Sequence, residues 1–183
     1  QMGLEQMIVS DPDSIWYLTG YYVFPFERLF ALYLRRDGKH KLFLNKLFPV
    51  PEVPYEQVWF SDTDDYLAIL AENVDGTKPM GIDKEWPARF LLPLMAHNPG
   101  SRCVLASACV DDARACKDET ERELMRTASR INDTVMERAA AFMREGMMER
   151  EVADFIIAQY AAEGCDAMAF QPIVSFGPHA ADP

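Results

Sequence analysis

Short apolar runs alternate with turn-forming residues through residues 1–112. Strand-sized runs lie at residues 7–10, 29–34, 41–44, 58–60, 81–83 and 103–110. Runs this short, bounded by Gly, Pro, Asn and Asp, predict β-strands. Arg35-Arg36-Asp37-Gly38-Lys39 sets Asp-Gly between two of them, which predicts a hairpin. Asp11-Pro12-Asp13-Ser14 predicts a turn into a helix, with Asp13 or Ser14 as the cap. Residues 64–70 are helical in pattern. So are residues 88–95, which Pro87 opens and Asn98-Pro99-Gly100 closes. The expectation is a mixed α/β domain over residues 1–112.

The period then changes. Leu124, Ala128, Ile131, Val135, Ala139 and Phe142 recur in steps of three and four, one face of a helix. Asp118 and Glu121 fit a capping box at its start, and Gly146 suits its end. A second helix is expected from Glu149 to Gly164, with Val152, Phe155, Ile156 and Tyr160 inward and Met148 as a poor cap. Phe170-Gln171-Pro172-Ile173-Val174-Ser175-Phe176-Gly177 predicts a strand leading into a loop. Pro172 cannot donate to a ladder and restricts Gln171 before it, which predicts an irregular or edge strand at Gln171–Ile173. A helical hairpin and one strand do not enclose a core by themselves. Residues 113–183 are therefore expected to be an incomplete second domain. Gln1 gives the strand at Met7-Ile8-Val9 no lead-in, so residues are expected to be missing there too.

Composition narrows the class. The 183 residues are 49% hydrophobic and 26% charged, enough to bury a core without a disulfide or metal staple. A net charge of -11 repels phosphate backbones and disfavours nucleic-acid binding. Cys103, Cys109, Cys116 and Cys165 form no CxxC pair and have no histidine at zinc-finger spacing, so reduced, buried thiols are expected. No run approaches the roughly 20 apolar residues of a membrane span. The first residues lack the basic start and apolar stretch of a signal peptide, so the default is a cytoplasmic protein.

Three stretches, in order, carry a resemblance. They are Asp11-Pro12-Asp13-Ser14-Ile15-Trp16-Tyr17-Leu18-Thr19-Gly20-Tyr21, then Arg114-Ala115-Cys116-Lys117-Asp118-Glu119-Thr120-Glu121, and then Gly146-Met147-Met148-Glu149-Arg150-Glu151-Val152-Ala153 with the 170–178 segment. Together they resemble the creatinase/prolidase superfamily of pita-bread M24 metallopeptidases, of the Xaa-Pro dipeptidase or Xaa-Pro aminopeptidase type. The resemblance implies a creatinase/prolidase-type N-terminal domain, a mixed sheet flanked by helices, over residues 1–112. It implies the first helices and strand of a truncated pita-bread domain over 113–183. Met148 departs from the family's threonine cap, and His179 from its asparagine after Gly-Pro. Pro183 stands where the family has the proline beside its substrate-binding histidine, which places that histidine after this sequence.

The implied chemistry is hydrolysis of the bond before proline by a water between two divalent ions (Mn, Co or Zn), held by two Asp, one His and two Glu. All five ligands are expected downstream, so no catalytic or metal residue is assigned in this sequence, and the fragment is expected to be inactive. Phe170 and Ile173 are the candidate lining of an apolar substrate pocket, with ordinary core as the plain reading. His179 is a weaker substrate-binding candidate, with exposed loop as the default. The expected substrates are Xaa-Pro dipeptides or proline-containing peptides, and the expected assembly is a homodimer. The short N-terminal domain leans toward a dipeptidase. The alternatives are a non-catalytic module that dimerises and caps a neighbour's site, or a superfamily member with other chemistry, either a creatinase-like hydrolase or a pseudo-peptidase. Tyr21–Phe26 and its aromatic neighbours Trp16 and Tyr17 suit either core or a subunit interface. His40 is expected in solvent, His97 at a helix end, and Asp62, Asp64 and Asp65 as a capping, solvated cluster.

Overall fold

A computed structural model describes residues 2–50 and 53–181. Pro183 therefore lies outside the described residues. The chain divides into two compact units, Gln1–Cys116 and Lys117–Pro183.

The first unit is built on a six-stranded sheet in the order β4-β3-β2-β1-β5-β6. β1 (Gln6–Val9), β2 (Ala31–Arg35) and β3 (Lys41–Asn45) are antiparallel neighbours. β4 (Glu56–Phe60) runs parallel to β3, while β5 (Met80–Ile82) and β6 (Cys103–Leu105) continue in parallel from β1. The Asp37-Gly38 hairpin joins β2 to β3 as expected, with Gly38 in the left-handed region at φ 80°.

Helices cover both faces, which is why the strands read as continuous apolar runs rather than alternating ones. Met7, Val9, Leu32, Leu42 and Leu44 face α1 (Pro12–Thr19) and α4 (Ala108–Ala115), meeting Ile15 and Val110. Ile8, Ala31, Tyr33 and Phe43 face the other way, toward Leu70 of α2 (Tyr66–Asn73) and Phe90 and Leu94 of α3 (Ala88–His97). The packing is tight at Gly81: a Cβ there would lie 2.9 Å from that of Ala106 and 3.1 Å from that of Met7.

Four local expectations are corrected. The cap of α1 is Asp11, whose carboxylate accepts from the N–H of Ser14 at 3.0 Å, because Pro12 takes the first helical position and shifts the start upstream. Residues 103–110 are not one strand. β6 stops at Leu105 and α4 begins at Ala108, since a short apolar run carries no marker of its period. His40 is half-buried, with Nδ1 accepting from the N–H of Arg35 at 3.2 Å, because the tight hairpin folds its ring back over β2. All four cysteines are free, but Cys109 and Cys116 are exposed, one on the outer side of α4 and one at its end.

The second unit is a helical hairpin, α5 (Glu119–Phe142) and α6 (Glu149–Ala162). The capping box at Asp118 and Glu121 is present, with both bonds at 2.8 Å. Val135 and Ala139 of α5 pack against Val152 and Ile156 of α6, with Ile131, Phe155 and Tyr160 around them. Phe142 and Phe155 stack with centroids 4.0 Å apart. Gly146, at φ 88°, does not end α5. The helix closes at Met143, and the glycine instead turns the chain into α6. Met148 offers no side-chain cap, and only the reverse bond is made, from its own N–H to Glu151 at 2.8 Å.

Candidate functional site

The apolar face of α5 is longer than the core it builds. Val135 and Ala139 are buried against α6, but Leu124 is exposed and Ala128 and Ile131 border open space. After α6, left-handed Gly164 (φ 81°) turns the chain back. The following segment then forms the far wall of a groove of about 620 Å³. Phe170, Pro172 and Ile173 line it opposite Leu124, Ile131 and Met136.

The structure thus brings Phe170 and Ile173 into one groove. It does so without the expected strand: among the described residues, 170–176 join no ladder and pass into a 3-10 turn, Gly177–Ala181. A strand is held by its neighbour's backbone, and among the described residues none pairs with this segment. Phe170 is 74% exposed and Ile173 70%, so neither is core within this unit.

His179 lies in the 3-10 turn, with a largely exposed ring. Its Nδ1 sits 3.1 Å from one carboxylate oxygen of Glu149 and 3.3 Å from the other. Glu149 also accepts from the backbone N–H of Phe176 at 2.7 Å. That bond, followed by the contact with His179, holds the Glu149 carboxyl below its usual range. A carboxylate in the first turn of α6 also suits the positive end of the helix dipole. Glu149 is the residue that sequence reasoning missed. It ties the 176–179 turn to α6, and the only local hint was its place at a helix start. Tyr160 is a second such tie, donating to Asn132 across the hairpin at 2.7 Å. Among the described residues no three His, Cys, Asp or Glu converge as a metal site, so these residues do not fit a two-metal centre.

In the first unit, the loop after α1 alternates between inside and outside. Tyr21 packs on the core and Val23 is buried, while Tyr22, Phe24 and Phe26 point outward. Phe24 (59% exposed) and Phe26 (72%) meet edge to face at 4.8 Å, and Trp16 meets Tyr22 at 5.8 Å. Phe26 holds φ 52°, an uncommon conformation for a bulky residue. The acidic cluster divides its work. Asp65 caps α2, Asp64 accepts from Ser61, and Asp62 pairs with Arg28. His97 ends α3 in solvent.

Comparison with known proteins bears on both units. The family Creatinase/Prolidase N-terminal domain matches residues 1–116, and Metallopeptidase family M24 matches residues 123–183. Uncharacterized peptidases of Staphylococcus aureus are 31% identical over 182 residues, covering 96% of this chain and 50% of the relative. A prolidase from Thermococcus sibiricus superimposes with a TM-score of 0.82 at 27% identity, over 93% of this chain and 49% of its own. Dipeptidase PepE from Mycobacterium ulcerans superimposes with a TM-score of 0.79 at 28% identity, over 92% and 47%. The chain spans about half the length of the curated relatives it matches.

Proposed function

Since the chain belongs to the creatinase/prolidase superfamily, we propose that it is the front part of a metal-dependent Xaa-Pro peptidase, most simply a dipeptidase. The reading rests above all on order: an N-terminal-domain match is followed in the same chain by an M24 match. The likeness in fold to a prolidase over 93% of the chain supports it. Divalent metal binding would fall to residues beyond those described, and no chemical step is assigned to the present ones. Their contribution would be the apolar wall at Phe170 and Ile173, with His179, which Glu149 holds at the start of α6, as the weaker substrate-binding candidate.

The test is expression of the complete reading frame beside residues 1–183. With Mn²⁺ and Met-Pro, the complete protein should release proline and the shorter chain should not. An inactive complete protein carrying an intact ligand set, or turnover by residues 1–183 alone, would sink the reading.

A second reading concerns the first unit as an interaction module. Its support is the outward row Tyr22, Phe24 and Phe26 beside Trp16, since aromatic residues are enriched at interfaces relative to the rest of the surface and clustered exposed apolar groups mark interaction sites. The partner proposed is a second copy of this chain, giving a homodimer.

A further inference from the structure

Ser107 enters α4, and its hydroxyl is buried without a hydrogen-bond partner among the described residues. The residue is only 8% exposed. Its backbone is already helical (φ -52°, ψ -36°), whereas a capping serine is normally extended. The hydroxyl is therefore carried away from the first-turn N–H groups it would otherwise cap. Buried polar groups without a protein partner are generally met by ordered water.

Asp83, just past β5, is the complementary group. It is 6% exposed. One carboxylate oxygen accepts from the N–H of Ser10 at 2.6 Å and of Asp11 at 2.9 Å, and the other accepts from the Ser10 hydroxyl at 3.0 Å. An ionised carboxylate offers about four acceptor positions, so one is unused. The other charges nearby are engaged. Lys84 holds Asp111 at 2.8 Å, and Asp11 accepts from both the N–H and the hydroxyl of Ser14, with Arg114 at 3.5 Å.

Asp83 and Ser107 line the same void of about 10 Å³, together with Asp11, Ser14, Lys84 and Asp111. One water needs roughly 10–15 Å³ and 2–4 polar partners. We propose that this void is a binding site for a single ordered water, which accepts from Ser107 Oγ and donates to the unused position of Asp83. The water would join the start of α4 to the end of the sheet that Asp83 already ties to α1. It would belong to the fold rather than come and go with a substrate. A cation is the weaker occupant. Asp11, Asp83 and Asp111 all line the void, but Asp11 is held by Ser14, Asp83 by Ser10 and the N–H of Asp11, and Asp111 by Lys84. Among the described residues no three such groups are placed to hold a metal ion.

A high-resolution crystal structure of the 183-residue chain tests this directly. One well-ordered water within hydrogen-bonding distance of Ser107 Oγ and an Asp83 oxygen is the expected result. An empty void, a Ser107 hydroxyl bonded directly to protein, or the short contacts of a bound cation would overturn the proposal. Thermal melting of Ser107→Ala gives an independent reading. With the water in place, losing its donor should lower Tm by about 2–4 °C on the scale for a chain of this size. In a dry void the same change removes an unsatisfied hydroxyl, so an unchanged or higher Tm would refute the site.

Discussion

Phe170→Ala in the complete peptidase separates a pocket wall from an ordinary surface side chain. A phenylalanine ring covers about 150–250 Å² when fully buried. Phe170 is 74% exposed in this unit, so roughly 110–190 Å² remains for something else to cover. At about 25 cal/mol per Å², complete coverage is worth about 3–5 kcal/mol. A substrate side chain lying against one face of the ring realises part of that, about 1–3 kcal/mol. The loss should appear in kcat/KM for bulky apolar Xaa-Pro dipeptides and be much smaller for Gly-Pro, whose first residue has no side chain to touch the ring. The same exposure makes a second demand on residues 1–183 by themselves. There the substitution should change stability by no more than about 0.5 kcal/mol, as at other surface sites. The assay is a substrate series on the complete variant, with melting of both lengths. An equal loss across all substrates would refute the pocket. A large loss of stability in residues 1–183 would show the ring to be core.

Three further outcomes follow from the geometry. Asp83→Ala should destabilise by about 2–4 kcal/mol, because the N–H groups of Ser10 and Asp11 lose their charged acceptor. Asp83→Asn keeps an acceptor and should cost far less. Burial raises the carboxyl pKa of Asp83 above its ordinary 3.8, so its ionised form burdens the fold. On acidification from neutral pH through that raised pKa toward 3.8, wild type should therefore gain on the asparagine variant in paired melts, and a gap that moves the other way would contradict this account. Glu149→Gln should speed amide exchange at Phe176. In wild type this protection should hold at neutral pH and fade as the pH drops below the ordinary glutamate value of 4.5, since the folded carboxyl lies lower still; protection unchanged in the variant would remove the anchor. Phe24→Asp should weaken self-association of residues 1–183 in sedimentation, because a charge buried in an apolar interface is costly; unchanged association would rule out that loop, and a monomeric wild type would rule out the dimer.

What the sequence determines by itself is what short stretches of chain decide locally. The capping box at Asp118 and Glu121 and the inward face of α6 depend on residues three or four apart, and the Asp37-Gly38 turn is set by its own backbone. All three are legible in the amino-acid sequence alone, as is the resemblance that rests on motifs. The same local view misleads where an apolar run can serve two periods, as at residues 103–110. It also misleads where an element needs a distant neighbour, as at residues 170–176, which form no strand without a ladder partner. The rest is decided by tertiary structure. Asp83 meets Ser10 from 73 residues away, and Glu149 meets His179 from 30. Beyond the place of Glu149 at a helix start, nothing in those residues' immediate surroundings marks them as anchors. The groove is likewise a tertiary product. The sequence marks one apolar face on α5, but the short span of α6 decides which end of that face is buried. The end carrying Leu124 is left open, facing Phe170 and Ile173.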